Sequence, residues 1–278
     1  MSHLAAADVV TAATHLMRAG QWAAATTLLN AARADDPDEE LALALGRAEV
    51  ATDQDFAQQT DEAPTAIAAA LAALSALAGA ARQAGGSETA GACREQAWDL
   101  AMLRLRKDYS TALFGSHTDD GQLGERARRL AADAPDEARR GAVIFYAGVM
   151  ADNLYDRSDE AFAHYTTAYR LGEKAGDELL MSLALRHLGD HAHTAGDLVL
   201  ARQHWERSTE LRQKVGHLLG ALAQQTLLAV LLRDEGDTAG SHALATEVNR
   251  WATQVDLKFI VRETAALMAD RTQQAPQR

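Results

Sequence analysis

The second half of the chain repeats itself every forty residues, and few folds accommodate such a rhythm. Aligned on Asp156, Gly196 and Gly236, three segments place Ala161, Ala201 and Ser241 at one matching position. Tyr165, Trp205 and Ala245 follow four residues later, and Ala168, Ser208 and Val248 three beyond those. Intervals of three and four keep side chains on one face of a helix. A Gly-Asp pair, a turn signal, stands at two of the three starts. A unit of this kind is a helical hairpin that cannot bury its apolar face alone and hides it against copies of itself. The expected fold is all-α: a solenoid of antiparallel helical hairpins that binds along an extended face.

The rest of the 278 residues agrees with an all-helical chain, because arrays lengthen by addition and need no second fold. No run alternates long enough to read as a strand, and aromatic residues make up only 5%. Pro37, Pro64 and Pro135 each stand just before an apolar-periodic segment, where a missing N–H goes unmissed. A net charge of -12 and a pI near 5.2 speak against a nucleic-acid partner, whose phosphates reward clustered cations. The small basic clusters Arg104-Arg106-Lys107, Arg126-Arg128-Arg129 and Arg139-Arg140 read as solvated helix faces. Cys93 is the lone cysteine, so neither an intramolecular disulfide nor a cysteine zinc cluster forms, and a reducing cytoplasm fits. The first ten residues lack the pattern of a signal peptide. Residues 65–81 are uncharged but short for a bilayer, and Ile67, Leu71, Leu74 and Leu77 fall at helical spacing. A helix buried in the array is expected there, not a membrane span.

About thirteen helices are predicted. An N-terminal region, 1–114, holds one clear hairpin at 5–37, joined at Gly20; Pro37-Asp38-Glu39 opens a third helix, and Pro135-Asp136-Glu137 repeats that device. Residues 52–63 read as a polar loop, and 64–84 as a long helix ended by Gly85-Gly86. Ser87 reads as the N-cap of a helix carrying Trp98 and Leu103. The segment 115–124, with Ser116, Thr118, Asp119 and Asp120, is the expected break. A regular array covers 121–271, with helices near 136–154, 158–174, 177–195, 198–214, 217–235 and 238–254 and a capping helix near 257–270. Residues 272–278 read as a disordered tail. Trp22, Trp98, Trp205 and Trp251 all sit in apolar-periodic segments and read as core fillers.

Two stretches carry a family pattern: Gly20-x-Trp22-x-x-Ala25 with Leu29, Ala32 and Pro37, and Leu188-Gly189 with Gly196-Asp197, Ala201, Trp205 and Ser208. They resemble tetratricopeptide repeats, and the forty-residue unit is similar to the arrays of large bacterial transcription regulators. The resemblance implies a right-handed solenoid in which the first helix of each hairpin lines the concave face. By that register Arg186, Asp190 and His193 share one stripe, with Val143, Tyr146, Met150 and Asn153 on one side and Thr226, Val230 and Arg233 on the other. Arg186 and Arg233 would grip a carboxylate through charge-assisted hydrogen bonds, while Tyr146 and Met150 would offer adaptable apolar contact. Arg186 is also placed to pair with Asp190 along its own helix. No helix-turn-helix segment and no Gly-x-x-x-x-Gly-Lys-Ser/Thr phosphate loop accompanies the pattern.

The expected function is a non-catalytic, cytoplasmic binding scaffold that captures a peptide or protein partner, without cofactor, nucleic acid or membrane, and compatible with a homodimer. One alternative is a regulator responsive to a small ligand or signalling peptide, with an enclosed apolar pocket within 52–133. Another is an enzyme using the cluster Arg186-His187-Leu188-Gly189-Asp190-His191-Ala192-His193. His187 and His191 are one turn apart, but the glutamate of a His-Glu-x-x-His site is missing and no third ligand is apparent, so no metal is expected.

Overall fold

The structure, a computed structural model, describes residues 4–84, 88–115 and 121–269. Among them are thirteen helices and no strand, so the chain is all-α. Ser87, Gly85-Gly86, most of the expected break (Ser116, Thr118, Asp119, Asp120) and the tail 272–278 lie outside the described residues. The chain divides into two compact units, Met1–Ala161 and Phe162–Arg278, a division that falls after the expected break at 115–124 and inside one of the helices.

The first unit contains α1 (Ala6–Arg18), α2 (Trp22–Ala31), α3 (Pro37–Gln58), α4 (Ala63–Ala84), α5 (Glu88–Phe114), α6 (Gln122–Ala132), α7 (Glu137–Asn153) and the start of α8 (Ser158–Ala175). Each of α1 to α7 packs on its neighbour in sequence wherever that neighbour is also near in space, and α1 touches α3, α3 touches α5, and α5 touches α7. Residues 52–58, expected as loop, are helical and finish α3. Burial explains the difference: Thr52 returns its hydroxyl to Ala48 O (2.7 Å), and the buried Asp55 carboxylate closes the next turn. Asp55 accepts from Thr60 Oγ1 (2.6 Å), Glu62 N (2.9 Å) and Ala63 N (2.8 Å), so one side chain ends α3 and caps the entry of α4. Alanines Ala44, Ala48, Ala51, Ala63 and Ala70 let α3 and α4 approach closely, with Ile67, Leu100 and Leu103 filling the remaining space. Helix α4 is long and apolar enough to cross a membrane by length and composition, with a mean hydropathy of 1.7 over Ala63–Ala80. It is buried along one stripe only, at Ala63, Ile67, Ala70 and Leu77, while Ala68, Ala69, Leu71, Ala72 and Ala76 on its other side are exposed.

The second unit holds the rest of α8 with α9 (Glu178–Thr194), α10 (Leu198–Lys214), α11 (Leu218–Asp234), α12 (Thr238–Gln254) and α13 (Lys258–Ala269). Helices α9 to α12 each run 17 residues. The equal lengths follow from one turn used repeatedly. Gly176, Gly196, Gly216 and Gly236 take φ of +69°, +81°, +71° and +93°, and Asp256 takes the same conformation at +55°. These positions are spaced twenty residues apart, half the period visible in the sequence. At each glycine the N–H of the following residue reaches back to the carbonyl five residues before it, as in Asp197 N to Ala192 O (2.9 Å) and Asp237 N to Leu232 O (2.8 Å). The same following residue then caps the next helix: Asp177, Asp197 and Asp237 accept from Leu180 N, Leu200 N and Gly240 N. His217 plays that part through Nδ1 toward Gly220 N (2.9 Å). One residue thus terminates one helix and starts another, leaving no slack in the connection.

Three of the four tryptophans fill cores and find an acceptor for the indole N–H: Trp22 to Asp53 (2.8 Å), Trp98 to Leu130 O (2.8 Å) and Trp205 to Arg186 O (2.9 Å). Trp251 departs from expectation. It is 44% exposed and donates to Glu247 Oε1 (2.8 Å) on its own helix.

Candidate functional site

The residues expected to line a groove are divided between the two units, and each unit gathers its own polar cluster. In the first unit, Glu49 and Asp53 lie one turn apart on α3 and so share a face. Arg106 of α5 pairs with Glu49 (2.5 Å) and lies 5.9 Å from the Tyr146 ring of α7. Arg106, expected on a solvated face, is therefore an interior cation, because only an acid on the neighbouring helix makes its burial tolerable. Tyr109 of α5 packs edge-on against Tyr146 at 5.9 Å and accepts the amide of Asn153 (2.7 Å). Burial pushes the Asp53 carboxyl above the usual range, opposed by the Trp22 N–H and by Arg106. It also raises the Tyr146 phenol. Met150 is fully buried and contributes packing where contact with a ligand was expected. A recess of about 260 Å³ lies within 52–133, at Thr52, Asp55, Thr60, Lys107, Thr111 and Phe114.

In the second unit, α9 presents Arg186, His187, Asp190, His191 and His193. Arg186 donates to Asp190 (2.8 Å), and both side chains remain about a third exposed, at 31% and 33%. His193 contacts Asp234 at the end of α11 (2.9 Å), and Arg233 donates to the other oxygen of the same carboxylate (2.9 Å). Asp234, not singled out by its sequence context, thus joins two residues that were. Thr226 is buried and returns its hydroxyl to Leu222 O (3.0 Å).

The histidine pair turns to aromatic rings. His187 stacks on the buried Tyr165 at 4.6 Å and 14°, and His191 meets Tyr165 and Phe162 at 5.8 and 5.6 Å. Burial, with the guanidinium of Arg186 beside it, holds His187 well below the usual imidazole range and therefore neutral. Among the described residues, no group of three or more His, Cys, Asp or Glu side chains is placed to hold a metal ion.

Two polar side chains of this unit escaped the sequence reading, since a helix pattern does not reveal who faces whom. Arg212, near the end of α10, is only 4% exposed and its Nε has no hydrogen-bond partner. Gln224 of α11 is fully buried with neither amide atom partnered. Burial, then the nearby Arg186 charge, lowers Arg212 to about 9, with Asp190 pulling the other way. No protein-family model matches the chain, and no curated protein sequence matches it.

Proposed function

We infer that the chain is a non-catalytic binding scaffold, a right-handed solenoid of the tetratricopeptide kind that holds a peptide or protein segment against the first helices of its hairpins. The solenoid reading is supported by the twenty-residue spacing of left-handed turn residues and by contacts between next-but-one helices within a unit, such as α3 with α5 and α11 with α13. The binding reading rests on one observation: Arg186, Asp190 and His193 stand on α9 partly exposed and already fixed by neighbours. Polar groups held in place before a partner arrives lose little entropy on contact, so a few anchors suffice for affinity. A cytoplasmic location and action without cofactor or metal belong to the same reading.

A peptide-display selection on the whole chain tests it. Enriched peptides should lose roughly tenfold to a hundredfold in affinity on Arg186→Ala, the worth of one charge-assisted hydrogen bond. No enrichment, or affinity untouched by Arg186→Ala and Arg233→Ala together, would overturn it.

A further inference from the structure

The end of α5 faces the joint between α3 and α4, and the recess of about 260 Å³ lies between them. Lys107, Ser110 and Phe114 follow one another at intervals of three and four, so the helix presents all three on that side. Gln59, Thr60 and Asp61 form the opposite wall. That wall is set in advance: the Asp55 carboxylate engages both oxygens with Thr60 Oγ1, Glu62 N and Ala63 N, and Gln59 is held at a φ of +56°. The charges on the two walls stay open. Among the described residues, neither the Lys107 ammonium nor the Asp61 carboxylate has an ion pair or hydrogen bond, and the Ser110 hydroxyl is unbonded too. At the rim, Phe114 meets Phe56 with ring centroids 5.5 Å apart, yet the two side chains remain 51% and 46% exposed. A single exposed ring needs no explanation, but two in contact beside a recess that also holds two unpaired charges of opposite sign make a matched set. Its complement carries a carboxylate for Lys107, an ammonium for Asp61 and a flat ring for the phenyl pair. The volume falls just below that of pockets for drug-sized ligands, which suits a molecule with one ring.

We propose that the recess between the end of α5 and the α3–α4 joint binds a free aromatic α-amino acid: its carboxylate is received by Lys107 and Ser110, its ammonium by Asp61, and its ring lies against Phe114 and Phe56. The site is made of first-unit residues alone and does not depend on the scaffold reading. Walls already fixed by Asp55 favour binding, because little has to be ordered when the ligand arrives. A ligand this small in an open recess reaches a dissociation constant of about 1 mM.

The test uses the full chain and L-phenylalanine, with phenylpropionate lacking the ammonium, phenethylamine lacking the carboxylate and L-alanine lacking the ring. Backbone amide resonances of Gln59, Asp61, Lys107 and Ser110 should shift saturably with L-phenylalanine, half-complete near about 1 mM. Each of the other compounds should bind about fivefold to tenfold more weakly, the worth of one partly exposed charged contact or one ring contact. Lys107→Met should weaken L-phenylalanine by about the same factor and leave phenethylamine as in the parent. Asp61→Asn should weaken it likewise and leave phenylpropionate unchanged. Should a variant misfold, the four compounds on the parent decide by themselves. Amides that do not move by about 20 mM L-phenylalanine, a truncated compound that binds as tightly, or folded variants that bind L-phenylalanine like the parent would each overturn the assignment. Failure here leaves the peptide reading standing, since that reading is tested at Arg186 and Arg233.

Discussion

The two units solve the same packing problem with different materials. In Phe162–Arg278, helices α9 to α12 have one length because one turn joins them, with a left-handed residue followed by a cap. In Met1–Ala161, helices range from 10 to 27 residues, and joints are made individually, as where Asp55 ties α3 to α4. Their polar interiors are alike in one respect: each leaves some buried polar atoms without a partner. The first unit matches Arg106 with Glu49 and the Trp22 N–H with Asp53, drawing acids from α3 to meet groups on other helices. It still leaves Arg18 Nε, Arg106 Nε and Gln96 Oε1 without a partner, as the second unit leaves Arg212 Nε and both amide atoms of Gln224. Repetition of a turn sets spacing well, yet it does not choose partners for polar side chains; those depend on each position singly.

The largest effect that would sharpen this contrast concerns the tryptophans. Trp205, almost fully buried and bonded to Arg186 O, should cost about 3–5 kcal/mol when replaced by alanine, whereas the exposed Trp251→Ala should stay within about 0.5 kcal/mol. Urea denaturation measures both, and equal losses would mean that the repeat does not distinguish inner from outer positions. Next come the crossings. A Cβ at Gly189 would run into the Trp205 ring, and Ala201 is fully buried beside it, so Gly189→Ala and Ala201→Leu should each lose roughly 1–3 kcal/mol. An unchanged midpoint in either variant would break the assigned register.

The turns predict smaller changes of opposite sign. Gly196→Ala forces a side chain into the left-handed region and should lose about 1 kcal/mol, while Asp256→Gly, relieving that strain at the equivalent position, should gain up to about 1 kcal/mol. Thermal melts of the pair would show whether the twenty-residue turn is one energetic motif.

The least conspicuous difference is in pH response. Asp53 has a raised pKa, so the folded chain holds its proton more tightly than the unfolded chain does. Stability should therefore fall as pH climbs from the ordinary value of 3.8 through the folded value, and Asp53→Asn should flatten that fall while keeping the Trp22 hydrogen bond. His187 behaves conversely. Its folded pKa lies well below 6.5, so its stabilisation is complete above 6.5 and is lost as pH drops below it, and His187→Phe should remove that loss while keeping the stack on Tyr165. Denaturation series across each window, parent against variant, separate the two; parallel curves would show that neither group titrates on unfolding.

Helix content was legible in the residues for a local reason: intervals of three and four, glycine at left-handed positions and aspartate at caps act within a few residues of themselves. Thus α10 was delimited at 198–214 from the sequence and runs Leu198–Lys214. The same locality explains the failure at 52–58, where a polar string looks like a loop until Asp55 is seen to be buried against the start of α4. Arg186 and Asp190 were recognisable as partners because they share a helix. Arg106 with Glu49, His193 with Asp234, and the isolation of Arg212 and Gln224 were not, because each depends on which helix lies opposite. Local chemistry in the chain settled where helices begin, end and turn; only the tertiary arrangement decided which charges meet and which are left wanting, since desolvation and pairing act through space and carry no period along the sequence.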